Sequence, residues 1–109
     1  MLLILSKKAT EIEIEKIAED FGGYIKFVVD IKKGILAAGG KMHADGEKLL
    51  IERGSSQEDL WGGGLDLETG EVDFDSMINL RPGQGNPSRE VLSQDIRKKI
   101  EEVVRRILR

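Results

Sequence analysis

Asparagines, arginines and hydroxyl-bearing residues crowd together in this chain between positions 79 and 89, where Asn79, Arg81, Gln84, Asn86, Ser88 and Arg89 fall in close succession. Asn79 and Arg81 are two apart, so on an extended strand both side chains leave by the same face. Pro82 ends such a strand, because it has no amide to give to a ladder. Asn86-Pro87 then reads as a helix cap and first helical residue, which turns the amides of Ser88 and Arg89 outward. Free amides at a helix start, joined by guanidiniums, suit a phosphate or carboxylate. The plainer assignment is a loop that Asn86 caps and Gln84 pins, with the arginines paired to Asp73 or Asp75.

His43, Asp45 and Glu47, with Asp73 and Asp75, are the residues from which a metal site would have to come. One histidine with carboxylates can hold a hard divalent ion but not a closed zinc site of the usual kind. On a helix His43 and Glu47 share a face while Asp45 points elsewhere. A capping Asp45 and a surface or loop-packing His43 account for the same residues, and no metal is expected. Glu58 and Asp59 could form an acid/base pair if one carboxyl were held protonated, with His43 as a further acid/base group. Trp61, the single tryptophan, is expected in the core. Gly62-Gly63-Gly64 lacks the Lys-Ser/Thr of a phosphate-binding loop and reads as a flexible edge or bulge. No Gly-x-Ser-x-Gly turn marks a nucleophilic serine. The catalytic residues, if any, and any cofactor stay unknown at this level.

The elements that would position these residues are legible in outline. The apolar segment Met1 to Leu5 reads as a buried strand, too short for a membrane span or a signal-peptide core. Thr10 and Glu13 form a capping box, Ile14, Ile17, Ala18 and Phe21 recur at helical spacing, and Gly22-Gly23 stop the helix, giving residues 11–21. Tyr24 to Asp30 and Ile35 to Ala38 form a hairpin around Lys32-Lys33-Gly34. Both arms are almost continuously apolar and belong mid-sheet. Residues 43–54 fit a short helix capped by Asp45 or a hairpin turning at Asp45-Gly46; the helix formers Glu47, Lys48 and Leu49 favour the helix.

A second hairpin is predicted from residues 60–67 and 71–80 around Glu68-Thr69-Gly70. Its second arm alternates Val72, Phe74, Ser76, Ile78 and Leu80 against Asp73, Asp75, Met77, Asn79 and Arg81. A second long helix follows Ser93, with Ile96, Ile100, Val103, Val104 and Ile107 as its buried stripe. The expected fold is α+β: an antiparallel or mixed sheet of about five strands, packed by two long helices and one short helix, in a single domain spanning 1–109.

Acids and bases are interspersed to a formal net charge of −3, so no global field draws the chain to nucleic acid or an anionic membrane. The basic residues near the C-terminus read as the solvated face of a helix. With no cysteine, disulfides, thiolate metal sites and a cysteine nucleophile are excluded, and a cytoplasmic location is expected.

Three segments considered together carry a resemblance. They are Val28-Val29-Asp30-Ile31…Gly34-Ile35; His43-Ala44-Asp45…Leu49-Leu50…Gly54-Ser55…Gln57-Glu58-Asp59-Leu60-Trp61-Gly62; and Phe74-Asp75-Ser76…Ile78-Asn79…Arg81-Pro82…Gln84-Gly85-Asn86…Ser88. The set resembles a small prokaryotic family catalogued as a domain of unknown function, over most of the chain. Gly63-Gly64 departs from the bulkier strand residues expected there. The resemblance implies a bacterial or archaeal cytoplasmic origin and no activity. The residues themselves favour a binding module with a small-anion pocket at Asn79, Arg81 and the 84–89 loop. A small hydrolase- or transferase-like enzyme using Glu58, Asp59 or His43 is the alternative, and so is a homodimer or protein-interaction module with an exposed sheet edge. A small anionic ligand is the expected partner of a monomer or homodimer.

Overall fold

In the computed structural model, which describes residues 1–109, the long apolar runs pair into one antiparallel sheet. Its strands are β1 (Leu2–Leu5), β2 (Tyr24–Asp30), β3 (Ile35–Gly39), β4 (Leu60–Asp66) and β5 (Val72–Asp73), in the order β1-β3-β2-β4-β5. Three α-helices accompany it: α1 (Glu11–Ala18), α2 (His43–Glu52) and α3 (Gln94–Ile107). The fold is α+β, as the periodicities predicted.

Strand alternation divides the core in two. Ile25, Phe27 and Val29 of β2 join Trp61 and Leu65 of β4 on one face, where Ile17 of α1 and Ile100, Val104 and Ile107 of α3 cover them. On the opposite face Val28, Ala37 and Leu60 meet Leu50 of α2 in a smaller cluster. α1 and α3 start at the caps read in the sequence, while the helix expected over 11–21 is α-helical only to Ala18 and closes as a 3₁₀ turn at Glu19–Phe21 before Gly22. Thr10 Oγ1 accepts from the Glu13 amide at 3.1 Å while the Glu13 carboxylate accepts from the Thr10 amide at 2.9 Å. Ser93 Oγ accepts from the Ile96 amide at 3.2 Å. Each such cap satisfies an amide that helix geometry leaves without a partner.

Asp30 ends β2 fully buried, a position a carboxylate holds only when its oxygens are satisfied. Oδ1 accepts from the amides of Lys32 and Lys33 at 3.0 and 2.9 Å, and Oδ2 from the Ser55 hydroxyl at 2.6 Å. One side chain thus shapes the β2–β3 turn and ties it to the chain between α2 and β4.

Four expectations are corrected. β1 lies at the edge of the sheet, with Leu2, Leu3 and Ile4 only half-buried, because β3 flanks it on one side alone. α2 begins at His43 behind Met42, so Asp45 sits in the first turn and is not the cap. The arm predicted as a strand over 71–80 pairs only at Val72–Asp73; Ser76 then accepts from the Ile78 amide at 3.3 Å and bends the chain into a 3₁₀ turn at Met77–Asn79. No helix starts at Asn86-Pro87: the turn there is Pro82–Gln84, closed by Gly85 at φ 76°, and Asn86 faces Arg81 in an isolated bridge.

Candidate functional site

The three glycines of β4 make room for a group of polar side chains on one face of the sheet. They are buried and each is paired to β2, opposite Val28, Phe27 and Lys26, so they form neither a flexible edge nor a bulge. Gly62 and Gly64 face the α2 side. A Cβ at Gly62 would come within 2.8 Å of Ser76 Oγ and 3.1 Å of His43 Cδ2, and one at Gly64 would overlap the Tyr24 phenol. The missing side chains are therefore the space that Ser76, His43 and Tyr24 occupy. A fourth glycine brings α2 down onto this floor: a Cβ at the buried Gly46 would lie 3.2 Å from Val28 Cγ2.

Above the glycines opens a cleft of about 540 Å³ lined by Tyr24, Lys26, His43, Asp73, Ser76 and Arg89, among others. The exposed thioethers of Met42 and Met77 also border it. His43 Nε2 lies 2.7 Å from the Gly63 carbonyl oxygen. A carbonyl can only accept, so Nε2 carries the proton and, in the neutral ring, Nδ1 keeps its lone pair. Burial pushes the His43 pKa down, opposed by the Gly63 hydrogen bond, so the neutral ring is the resting form. Tyr24 donates to Asp73 Oδ2 at 2.6 Å. Burial first, then this bond to a carboxylate, raises its pKa, and the phenol stays protonated. Asp75 pairs with Arg89 at 3.2 Å, both about half exposed, and Lys26 donates to the Lys41 carbonyl at 2.8 Å. Met42 offers α2 no side-chain cap; the Asp45 amide turns back to the Met42 carbonyl at 3.2 Å, and the amides of His43 and Ala44, residues of the cleft lining, have no cap.

The depressed pKa of His43 has a stability consequence. In the pH window between its folded value and the ordinary 6.5, the unfolded chain binds the proton more readily. Stability should therefore fall as pH drops through that window, with no contribution above it. Denaturant unfolding of the native chain and His43→Leu across pH 5–8 checks this; parallel curves would show that the ring titrates alike in both states.

Of the six residues expected to form an anion site, the structure gathers four into a frame around the start of β4. Asn79, fully buried, contacts Gly62, Phe74 and Arg89 through its amide. Asn86 Nδ2 donates to the carbonyls of Asn79, Ser88 and Glu90, and its Oδ1 accepts from the Leu92 amide. Arg81 lies 4.0 Å over the Trp61 ring and donates to the Gln57 carbonyl at 2.6 Å, to Gln84 Oε1 at 3.2 Å and to the Leu60 carbonyl. Burial lowers its pKa, while the charge of Glu47 acts the other way. Gln84 donates to the Glu58 carbonyl at 3.1 Å. Ser88 Oγ accepts from the Glu90 amide at 3.0 Å. Only Arg89 reaches the cleft.

Glu58 and Asp59 lie in the turn before β4, outside the cleft lining. Of His43, Asp45, Glu47, Asp73 and Asp75, only His43 and the two aspartates Asp73 and Asp75 share the cleft lining, and no three His, Asp or Glu side chains gather closely enough to hold a metal ion. Tyr24 and Lys26 carry no motif, and Ser76 enters the sequence reading only through strand alternation and the resemblance, not as a site residue. The signal that could have found them is the triple glycine itself, which in a central strand marks close approach of other groups.

A family described as a protein of unknown function, DUF5674, matches residues 3–107. The chain belongs to the DUF5674 family. No curated protein and no solved structure matches it. In this DUF5674 chain every residue of the cleft lies inside the matched span. No helix is long and apolar enough to cross a membrane.

Proposed function

We propose that this DUF5674 protein is a binding module whose cleft over Gly62 and Gly64 takes a small anion, a phosphate or a carboxylate. The observation that carries this reading is the grouping of Arg89, Lys26 and the uncapped start of α2 around a cavity of about 540 Å³, with Tyr24, His43 and Ser76 seated in it over the glycines. The cavity falls within the usual range for small-molecule sites. Asn79, Arg81, Gln84 and Asn86 serve as the frame of the site, and Arg89 is the member of the predicted set that meets the ligand. Arg89 is tied to Asp75 by an exposed pair, which costs little to open.

The cysteine-free composition and the family resemblance support a cytoplasmic, prokaryotic protein, and the interspersed charge with a net of −3 supports a partner other than nucleic acid or an anionic membrane. The enzymatic alternative keeps His43 alone, since Glu58 and Asp59 lie elsewhere; its one support is the open Nδ1 of that ring.

Phosphate should raise the melting temperature beyond chloride at matched ionic strength. At a hundredfold excess over Kd the gain is about 2.7 kcal/mol. The resonances of His43, the single histidine, should shift on the same titration, and Arg89→Ala should remove both effects. Equal melting in phosphate and chloride, or an undiminished phosphate effect in Arg89→Ala, would defeat the reading.

A further inference from the structure

The acceptors left open in the cleft say more about its ligand than the donors do. Donors are plentiful: the Arg89 guanidinium has N–H groups beyond the one facing Asp75, and Lys26 has hydrogens beyond the one given to Lys41. The Ser76 hydroxyl accepts from Ile78 and donates to nothing within the chain. Any oxyanion could satisfy these. Two acceptors stand among them. His43 Nδ1 lies across the ring from the nitrogen held by Gly63 and finds no partner in the chain, and the residue lines the cleft. Asp75 receives Arg89 on Oδ1, and its Oδ2 is unengaged. Asp73 is different, since its oxygens already accept from Tyr24 and from the Asp75 amide.

An anion with no proton of its own satisfies the donors but sets an oxygen lone pair against the Nδ1 lone pair or the Asp75 carboxylate. An anion that retains a proton satisfies both kinds of group. A binding site whose polar groups demand a donor rejects the analogue that lacks one, because the site's own groups are left unpaired. We infer that the ligand of this cleft is a protonated oxyanion, hydrogen phosphate or the P–OH of a phosphate monoester, and that sulfate and simple carboxylates are rejected. This rests on the anion-binding reading above and sharpens it. The charged groups facing His43 are Lys26 from β2, Asp73 from β5, and Asp75, Arg89 and Glu90 from the segments beyond. Glu90 is already held by Arg97 at 3.1 Å.

The test titrates the protein with inorganic phosphate, sulfate and methyl phosphate at matched ionic strength, reading thermal shift and the His43 resonances. Phosphate should bind at least about tenfold more tightly than sulfate. Inorganic hydrogen phosphate keeps its last proton far into the alkaline range, whereas a monoester loses its own near pH 6. Methyl phosphate should therefore weaken about tenfold per pH unit above that point while inorganic phosphate does not, which separates the two sources. His43→Leu should bring sulfate to within about twofold of phosphate, and His43→Gln, which restores a donor for Gly63 and an acceptor for the ligand, should recover part of the preference. Sulfate binding as tightly as phosphate to the native chain, with His43 becoming protonated, would overturn the inference and leave the anion site standing. So would a phosphate preference undiminished in His43→Leu. If neither anion exceeds chloride, the anion reading itself falls.

Discussion

Gly63→Ala should destabilise the protein by about 3 kcal/mol, at the upper end of what overpacking by one methyl group costs. Gly63 sits in β4 between β2 and β5, and it faces the larger core. A Cβ there would overlap the backbone carbonyl oxygen of Asp73 and approach the Phe27 ring to 2.9 Å. Neither neighbour can yield cheaply. The carbonyl belongs to a paired strand, and Phe27 is buried at the sheet centre. Gly64→Ala is the informative comparison, because its clash is with the end of the Tyr24 side chain, which can swing away. That variant should lose about 1–2 kcal/mol, largely through the Tyr24–Asp73 hydrogen bond. Urea unfolding followed by fluorescence of Trp61, the single tryptophan, measures both. A loss under 1 kcal/mol for Gly63→Ala would mean that β5 moves freely, and the floor of the cleft with it.

The contrast between these glycines explains which parts of the structure the sequence disclosed. Capping chemistry is local: Thr10 with Glu13 and Ser93 with Ile96 are settled within one helical turn, so the starts of α1 and α3 could be read directly. Apolar runs such as Tyr24–Asp30 and Ile35–Gly39 declare central strands for the same reason. The segment after Asp73 misled because alternation is a necessary mark of a strand and not a sufficient one. Ser76 and Asn79 there spend their side chains on backbone groups and divert the chain from the ladder. His43 was noticed as a metal candidate, yet its actual partner is a carbonyl twenty residues away, a contact that no spacing rule encodes. Arg81 was expected at an opening and instead covers Trp61, because the carbonyls of Gln57 and Leu60 converge on it only after folding.

Asn79→Ala should cost about 3–4 kcal/mol, since one side chain supplies four hydrogen bonds in the interior. Its Oδ1 accepts from the Gly62 amide at 2.8 Å, and its Nδ2 donates to the Gly62 carbonyl at 2.9 Å. Those are the two bonds a neighbouring strand residue would have made. β5 pairs only with Gly64 and Leu65, so Asn79 stands in for the missing ladder beside Gly62. Nδ2 also serves the carbonyls of Phe74 and Arg89, each at 3.0 Å, sharing two hydrogens among three acceptors. Truncation strands the Gly62 amide and carbonyl away from water, while the carbonyls of Phe74 and Arg89 keep the amides of Val91 and Ser76. Asn79→Asp discriminates between a packing effect and this hydrogen-bond role, because it keeps the shape and loses the donor. At neutral pH a carboxylate would face three carbonyl oxygens, and the loss should equal or exceed that of the alanine variant. The fold would then prefer the protonated acid, raising its folded pKa above the unfolded value of about 3.9. Stability relative to Asn79→Ala should be greatest below that value and decline as pH rises through the folded pKa. Comparable unfolding curves for the two variants at pH 4 and pH 7 would show that Asn79 fills space and does no more; the expected result is that they separate at the lower pH, with the aspartate the more stable of the two.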